Sequence, residues 1–234
     1  MPPPTPSLPL TLILAATPSL GIGRAGALPW KSLKADMAFF ARVTKRVPGV
    51  GGGVGAAGAA GASPSPSPTN RPTKTQNAVI MGRKTWDSIP PRFRPLAGRV
   101  NVVVSRSGAV AGLDAARERE KVLVAGGLGE AVGVLQKGVV EEVGVGRVFV
   151  IGGASLYEQA LRMEGARRVV LTKVGREFEC DAFFGVDLEG EGARGKGWVR
   201  RSRGQLEEWV GEKVEAGEEA GVGYEFCLFE REGA

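Results

Sequence analysis

Hydrophobic positions along the chain fall into short runs separated by Gly, Pro and polar residues, a pattern typical of alternating strands and helices. Continuous apolar runs predict buried strands at 8–16, 78–81, 100–104, 122–124, 148–151, 169–174, 197–202 and 224–230. Helical spacing predicts helices at 33–45, 83–88 and 128–136, and a further helix through Tyr157 and Leu161. The alternation predicts an α/β fold in which helices flank a central mixed, mostly parallel sheet with an antiparallel C-terminal edge.

One carboxylate interrupts the apolar face of the first predicted helix. With Ser32 as the N-cap, the residues Leu33, Asp36, Met37 and Phe40 follow the spacing that lines one helix face. Asp36 is therefore expected to face inward, where desolvation disfavours its charged form. Two interpretations stay open: a core acid paired with a hydroxyl or backbone donor, or a group whose raised pKa suits proton chemistry.

Length and composition predict one domain over residues 1–234, because 43% hydrophobic residues suffice for a full-sized core. Between about residues 48 and 68 the composition changes to Gly, Ala, Ser and Pro. Such a stretch cannot bury enough apolar surface to offset its ordering entropy, so it predicts a disordered surface insertion.

The net charge of +6 favours anionic partners without deciding between them. Basic residues are spread along the chain apart from Arg200, Arg201 and Arg203, and no aromatic residues are interleaved with that cluster. The cluster therefore predicts a solvated face and no nucleic-acid platform. A monomer that acts on a small molecule is expected.

Cysteine and histidine usage narrows the chemistry. The chain has only Cys180 and Cys227 and no histidine, so it predicts no disulfide framework, no metal site and no Ser-His or Cys-His nucleophile. Two ordinary thiols favour a reducing, cytoplasmic compartment. The apolar run at 8–16 follows an uncharged Pro-rich start and is too short to span a bilayer, so no membrane association is expected.

A loop after the first strand contains Gly21-Ile22-Gly23-Arg24-Ala25-Gly26, which formally matches the dinucleotide fingerprint G-x-G-x-x-G. In a Rossmann fold the turn opens directly into a helix, whereas here Leu28-Pro29-Trp30 intervenes. We therefore interpret the glycines as hinges of a mobile flap.

Candidate ligand groups follow several predicted strands. Gly82-Arg83-Lys84-Thr85 offers free N–H groups, a hydroxyl and two cations, and Ser105-Arg106 offers a second anion site. Gly152-Gly153 allows close approach of backbone to a ligand. Each feature alone has an ordinary structural explanation, but together with Asp36 they predict a ligand site beyond the carboxyl ends of the strands.

These motifs, in this order and spacing, give the chain its family resemblance. It resembles dihydrofolate reductase along nearly its whole length, on the strength of 21–23 through Leu28-Pro29-Trp30, 79–86 with Ser88-Ile89-Pro90, Arg94-Pro95-Leu96 with Gly98-Arg99, and 151–153 with Tyr157. The insertion resembles those of filamentous-fungal members. The resemblance implies that NADPH passes a hydride to C6 of dihydrofolate while N5 is protonated, which yields tetrahydrofolate for one-carbon and thymidylate metabolism.

The resemblance also implies roles for individual residues. Catalytic positions would be Asp36, Leu28 and Thr172, and Arg99 would pair with the glutamate tail of the substrate. The substrate would further contact Ile13, Met37, Phe40, Ile89, Leu96, Ile151 and Tyr157. NADPH would contact Ala15, Ile22, Gly23, Arg83, Lys84, Thr85, Ser105, Arg106, Gly152, Gly153 and Tyr157. The chain departs from common family patterns by having Asp36 for Glu, Ala27 for Asp or Asn, and Gly126 for Arg.

Two alternatives belong to other function classes. One is a reductase of the same fold that acts on a pyrimidine or pteridine precursor; Arg99 and Leu28-Pro29-Trp30 argue against it. The other is a catalytically silent folate-binding protein or a basic nucleic-acid-binding protein. Asp36, Thr172 and Gly152-Gly153 argue against a silent binder, and the scattered charge argues against nucleic acid.

Overall fold

The computed structural model describes residues 8–30, 33–48, 74–140 and 142–232. Strands in these ranges are β1 (Leu10–Ala16), β2 (Gly21–Gly23), β3 (Lys74–Gly82), β4 (Val100–Val104), β5 (Val122–Ala125), β6 (Val139–Val140), β7 (Val143–Val150), β8 (Ala166–Val174), β9 (Ala182–Phe183), β10 (Trp198–Arg200), β11 (Gly217–Glu219) and β12 (Val222–Arg231). Helices are α1 (Lys34–Lys45), α2 (Arg83–Ser88), α3 (Leu113–Arg117), α4 (Leu128–Leu135), α5 (Ala154–Leu161), α6 (Glu191–Arg194) and α7 (Arg203–Val210), with a 3₁₀ turn at Pro91–Phe93.

The main sheet has the strand order β10-β12-β8-β1-β7-β3-β4-β5. Pairing is parallel from β8 through β5, and β12 is antiparallel to both β8 and β10. The predicted α/β class, with a mostly parallel sheet and an antiparallel C-terminal edge, is confirmed. Because the central strands are parallel, the carboxyl ends of β1, β7, β3 and β4 meet at one edge of the sheet.

The central strand β1 is buried at every position from Leu10 to Ala16, as expected for a parallel strand covered on both faces. Alternate residues face opposite sides, so Leu12 and Leu14 pack in one core cluster while Ile13 packs in another beneath α1. The second cluster contains Phe39 and Val43 of α1. Burial of these apolar side chains fixes α1 across the sheet close to the carboxyl end of β1.

The predicted inward face of α1 was partly wrong. Asp36 and Leu33 are buried as expected, but Met37 is 53% exposed and Phe40 is only half-buried. Phe39 takes the inward place instead, because its ring stacks on Phe226 of β12 at 3.9 Å between centroids. The buried face is thus rotated by about one residue relative to the predicted stripe.

The start of α1 also differs from its prediction. The predicted N-cap, Ser32, lies outside the described residues, and Leu33 at the cap position makes no side-chain cap hydrogen bond. The Ala35 N–H instead donates to Glu219 Oε2 at 2.9 Å. A carboxylate from the distant strand β11 therefore satisfies an N-terminal amide of α1, where negative charge is also favoured by the helix dipole.

Other predicted boundaries need correction near the C-terminus. The strand expected at 197–202 is shorter, because Ser202 begins α7 with a capping box in which Gln205 N–H donates to Ser202 Oγ. The Arg200, Arg201 and Arg203 cluster is not simply solvated. Each guanidinium is ion-paired: Arg200 with Glu189 and Glu225, Arg201 with Glu230 and Glu232, and Arg203 with Glu207 and Glu215.

Almost all of the predicted insertion at about 48–68 lies outside the described residues, but its flanks are held together. Asn77, fully buried in β3, donates from Nδ2 to Thr44 O at 3.0 Å and to Arg46 O at 2.8 Å. Its Oδ1 accepts from Arg147 N at 2.9 Å. This Asn77 clamp ties the end of α1 to the amino-terminal half of β3 at the edge of the sheet opposite the strand carboxyl ends.

Candidate functional site

The centre of the candidate site is a hydrogen bond between α1 and β8. Thr172 Oγ1 donates to Asp36 Oδ1 at 2.7 Å, and both side chains are buried. Burial raises the pKa of Asp36 above its ordinary value, and the hydroxyl donor lowers it by a smaller amount. The predicted inward orientation of Asp36 is confirmed, and Oδ2 is the carboxylate oxygen that Thr172 leaves for another donor.

A chain of contacts connects Asp36 to the neighbouring strands. Thr172 lies beside Ala15 in the β1–β8 register, and Tyr157 Oη donates to Ile13 O of β1 at 2.8 Å. Burial and the negative charge of Asp36 raise the pKa of Tyr157, so this phenol remains a donor. A Cβ placed on Gly152 would lie 3.2 Å from Tyr157 Oη, which explains the glycine beside that ring.

Five of the predicted substrate contacts share one apolar cluster. Its members come from the second core cluster or pack against it, and they are Ile13, Phe40, Ile89, Leu96 and Ile151. They come from β1, α1, the end of α2, the turn before β4 and the end of β7. The structure therefore brings together residues that are up to 138 positions apart in the sequence, from 13 to 151.

Leu28 and Met37 have a different environment from this cluster. Leu28 is 42% exposed and Met37 is 53% exposed. Two large apolar side chains on the surface near the start of α1 can contact a ligand but do not form part of the packed core. Their assigned roles stay predictions.

Arg99 lies in the same region and is unusual for an arginine because only 6% of it is exposed. Its Nη1 donates to Thr44 Oγ1 at 2.7 Å and its Nε to Ala97 O at 3.2 Å. Among the described residues no carboxylate lies within ion-pair distance of it. Burial lowers the pKa of Arg99 to about 10, an effect that Glu120 partly offsets. A desolvated guanidinium with unused donors is suited to an incoming carboxylate.

A second group of predicted residues meets at the carboxyl ends of β3 and β7. The Gly82 N–H donates to Gly152 O at 2.8 Å. A Cβ added to Gly153 would lie 3.7 Å from Thr85 Oγ1, and one added to Gly82 would lie 3.8 Å from Gly152 O. The strand end, the diglycine and the first turn of α2 thus form a cradle that side chains at the glycines would fill.

Cations lie around this cradle. Arg83, Lys84 and Arg106 are exposed, and Arg83 pairs with Asp87 at 3.4 Å. Ser105 is buried, and its Oγ donates to Ala109 O at 3.1 Å, so its hydroxyl proton already has an acceptor. Ser105 N–H donates to Ala125 O at 2.9 Å, which places Ser105 beside the end of β5.

The end of β5 carries the departure noted at Gly126. Its N–H donates to Glu130 Oε2 at 2.7 Å. The carboxylate of Glu130 therefore already accepts the hydrogen bond of the amide that follows β5. This amide lies next to the predicted anion site at Ser105 and Arg106. Positive charge at this anion site therefore comes from Arg83 and Lys84 of α2 and from Arg106 after β4, and Gly126 supplies no side chain to it.

The residues Gly21–Gly23, interpreted from the sequence as hinges of a mobile flap, form a short strand. It is β2, which pairs antiparallel with β9. A Cβ on Gly21 would lie 2.4 Å from Cys180 Sγ, so this glycine is needed for close packing. No helix opens directly from the glycines, since α1 begins only at Lys34, which confirms that the G-x-G-x-x-G match is not a Rossmann turn.

Trp30 is a residue that the sequence-derived site omitted. It is buried beside Ala15 and Leu33, and its Nε1–H has no hydrogen-bond partner among the described residues. A buried N–H without an acceptor is costly, so this donor is available to a ligand or a water. The Leu28-Pro29-Trp30 motif was the available signal, but sequence alone does not show which way the indole points.

Within the described ranges, no cluster of three or more His, Cys, Asp or Glu side chains could hold a metal ion. The same ranges contain no helix with the length and apolar character needed to cross a membrane.

Comparisons with known proteins agree with the geometry. The family model for dihydrofolate reductase matches residues 69–191. The chain is 36% identical to dihydrofolate reductase of Pneumocystis carinii over 230 residues, which covers 95% of this chain and 97% of the relative. It is 36% identical to that of Cryptococcus neoformans over 248 residues, covering 96% and 95%. Among solved structures, dihydrofolate reductase of Schistosoma mansoni matches with a TM-score of 0.65 and 29% identity, covering 97% of this chain and all of that one.

Proposed function

The chain belongs to the dihydrofolate reductase family and reduces dihydrofolate to tetrahydrofolate, and we propose that it does so with NADPH, using the residues grouped around Asp36. The observation that carries the site assignment is the buried Asp36–Thr172 pair, which lies at the strand edge that also carries the Gly152-Gly153 cradle. A carboxylate for the pterin and a phosphate cradle are thus presented at the same edge of one sheet.

Dihydrofolate fits the described residues in three parts. Asp36 accepts hydrogen bonds from the amino-pyrimidine edge of the pterin, with Thr172 as the neighbouring hydroxyl. The ring lies against the cluster of Ile13, Phe40, Ile89, Leu96 and Ile151, with Leu28 and Met37 on its open side. Arg99 pairs with a carboxylate of the glutamate tail, because it is buried and has no carboxylate partner within the described ranges.

NADPH fits the cradle for reasons visible in the chain. Gly152 and Gly153 leave space beside Thr85, where backbone N–H groups of α2 can bind phosphate oxygens. Arg83, Lys84 and Arg106 add positive charge, while Ile22, Gly23, Ala15 and Tyr157 flank the route between the cradle and Asp36. NADPH, when bound, supplies the hydride that C6 of the substrate receives.

Asp36 is the residue that promotes protonation of N5 in the substrate. Its raised pKa means that Asp36 holds a proton at higher pH than an exposed aspartate does. Thr172 donates to Oδ1, so that proton resides on Oδ2. In the ionised form the same carboxylate polarises the pterin and favours its protonated form. The Tyr157 phenol stays protonated and bound to Ile13 O, so it orients the site without exchanging a proton.

The test is oxidation of NADPH by the purified protein with dihydrofolate, followed by absorbance, with chromatographic identification of tetrahydrofolate. Binding of both ligands without turnover would indicate a silent folate-binding protein. Turnover with a pterin or pyrimidine precursor but not with dihydrofolate would indicate the related reductase.

Cofactor choice gives a sharper prediction at Arg106. Changing Arg106 to Leu is expected to raise the KM for NADPH about tenfold or more and to leave the KM for NADH nearly unchanged, since one charge-assisted contact contributes roughly 1.5–3 kcal/mol. Steady-state kinetics with both cofactors measures the effect. Arg117→Leu, at an exposed arginine of α3, is the control. Equal increases for both cofactors would show that Arg106 does not contact the 2′-phosphate.

We further propose a single-domain monomer that works in the cytoplasm. Support for the compartment comes from two free thiols, of which Cys227 is buried with its pKa raised to about 12. Light scattering of the purified protein and imaging of a fluorescent fusion test these two proposals.

A further inference from the structure

Within the described residues, the Trp30 indole makes one aromatic ring contact, and its partner lies outside the proposed site. The ring of Phe178 meets the Trp30 ring edge-on, with centroids 5.8 Å apart and planes at 65°. Trp30 belongs to a small buried cluster that includes Ala15 and Leu33, and Phe178 packs against this cluster. Ala15 neighbours Thr172 in the sheet, and Leu33 lies one turn before Asp36. The cluster therefore adjoins the Asp36–Thr172 pair.

Phe178 lies in an acidic segment, residues 177–181, that makes hydrogen bonds and an ion pair with the loop before Trp30. Glu177 Oε1 accepts from Ser19 N at 2.7 Å, Glu179 pairs with Arg24 at 2.7 Å, and Asp181 Oδ2 accepts from Ala25 N at 2.7 Å. Three carboxylates of the segment thus contact the loop, while Phe178 packs against Trp30.

We propose that Phe178 is a positioning residue that holds the Trp30 N–H in the orientation that bound dihydrofolate requires. This inference rests on the proposed function. Edge-to-face packing constrains the angle of the indole, whereas an aliphatic side chain of similar size fills the space without constraining it. The unpartnered Nε1–H then has one fixed direction in which to meet a polar atom of the ligand or a bridging water.

A double-mutant cycle tests this role. Phe178→Leu is made in the parent protein and in Trp30→Phe, and single-turnover hydride transfer is measured with saturating NADPH and dihydrofolate. We expect the rate to fall roughly three- to tenfold in the parent, the scale of one aromatic pair. In the Trp30→Phe background, which has no N–H to position, Phe178→Leu is expected to change the rate by less than about twofold.

Two further variants separate positioning from folding. Phe178→Tyr keeps the ring and is expected to restore the parental rate to within about twofold. Phe183→Leu removes an equally large ring from the same part of the chain, but Phe183 is 50% exposed and has no described ring contact with Trp30. It is expected to leave hydride transfer unchanged. If Phe178→Leu does not fold, Phe178→Met takes its place, since Met fills the volume without a ring.

The results of these experiments distinguish failure of the role of Phe178 from failure of the proposed function. Equal losses in the two backgrounds, or loss of thermal stability with an unchanged hydride-transfer rate, would overturn the role of Phe178. A parent protein that does not oxidise NADPH with dihydrofolate would overturn the proposed function itself, before any variant is compared.

Discussion

Asp36 is the single residue on which the proposed chemistry depends most. We expect Asp36→Asn to fold and to bind NADPH but to reduce dihydrofolate orders of magnitude more slowly at pH 7, because an amide keeps the hydrogen bond to Thr172 and cannot ionise. The rate should recover partly in acid, where solvent protonates N5. Single-turnover hydride transfer against pH, for parent and variant, measures this.

The stability of the same variant provides the control. A carboxyl group whose pKa is raised in the folded state contributes most stability below its ordinary pKa, and that contribution is lost as the pH rises through the raised value. Asn lacks this dependence. Asp36→Asn should therefore melt at a higher temperature than the parent near neutral pH, and the difference should disappear in acid. Parallel rate profiles of similar height would show that Asp36 is only a structural acid.

A substitution at Arg99 tests whether this residue binds the glutamate tail of the substrate. Arg99→Lys is expected to weaken dihydrofolate by about 1.5–3 kcal/mol, because a point charge cannot reproduce the two-pronged guanidinium contact. A pterin without the glutamate should bind as before. Titration of both ligands measures the difference, with Arg92→Lys, an exposed arginine nearby, as the control. Equal weakening of both ligands would remove Arg99 from the tail site.

Among the elements, the pairing of β2 with β9 depends on the absence of a side chain at Gly21. Gly21→Ala would place a Cβ 2.4 Å from Cys180 Sγ and 2.8 Å from Cys180 Cβ. Overpacking of this kind costs about 1–3 kcal/mol, so the melting temperature should fall. Thermal unfolding measures the loss. Adding Cys180→Gly should restore much of it, and a double variant no more stable than Gly21→Ala would contradict the contact.

The sequence predicts elements well where a periodic pattern is strong and poorly where distant partners decide. Strands β4 and β5 and helix α4 were found close to their bounds because their apolar patterns are uninterrupted. Strands β3 and β7 begin four and five residues before their predicted starts at 78 and 148, because their first residues are polar or include glycine. By contrast, β2 and β9 are only three and two residues long, and each forms a strand by pairing with the other. The inward face of α1 was misplaced because Phe226, far along the chain, selects Phe39 over Met37.

For the site, the sequence reveals which residue types are present but not which way their side chains point. Asp36 and the glycines stand out as unusual for their positions, and the parallel sheet then brings them to one edge. Trp30 could not be assigned in this way, because its unpartnered N–H is a property of the packing around it. Phe178 carries no sequence signal at all, since an isolated aromatic residue between two acids has no characteristic pattern.

For the whole molecule, we expect the low-complexity segment to be dispensable. Deleting residues 50–67 should change the free energy of unfolding by less than about 1 kcal/mol, because loop-closure entropy varies only with the logarithm of length. The Asn77 clamp holds both flanks without the segment. Turnover and melting temperature measure the effect. Deletion combined with Asn77→Ala should be much less stable than deletion alone, and loss of soluble protein on deletion alone would refute the expectation.

The Asn77 clamp also makes the connection between α1 and β3 a suitable place to insert a foreign domain. Pro48 is the last described residue after α1 and Lys74 is the first residue of β3, while the Gly152-Gly153 cradle lies at the opposite end of that nine-residue strand. At about 3.3 Å per residue the two ends are roughly 30 Å apart. A receptor domain whose termini are adjacent could be inserted between Pro48 and Lys74. Unfolding of the inserted domain would strain β3, and ligand binding to the inserted domain would relieve that strain. Tetrahydrofolate production, and with it growth of a folate-dependent cell, would then report the state of the inserted domain.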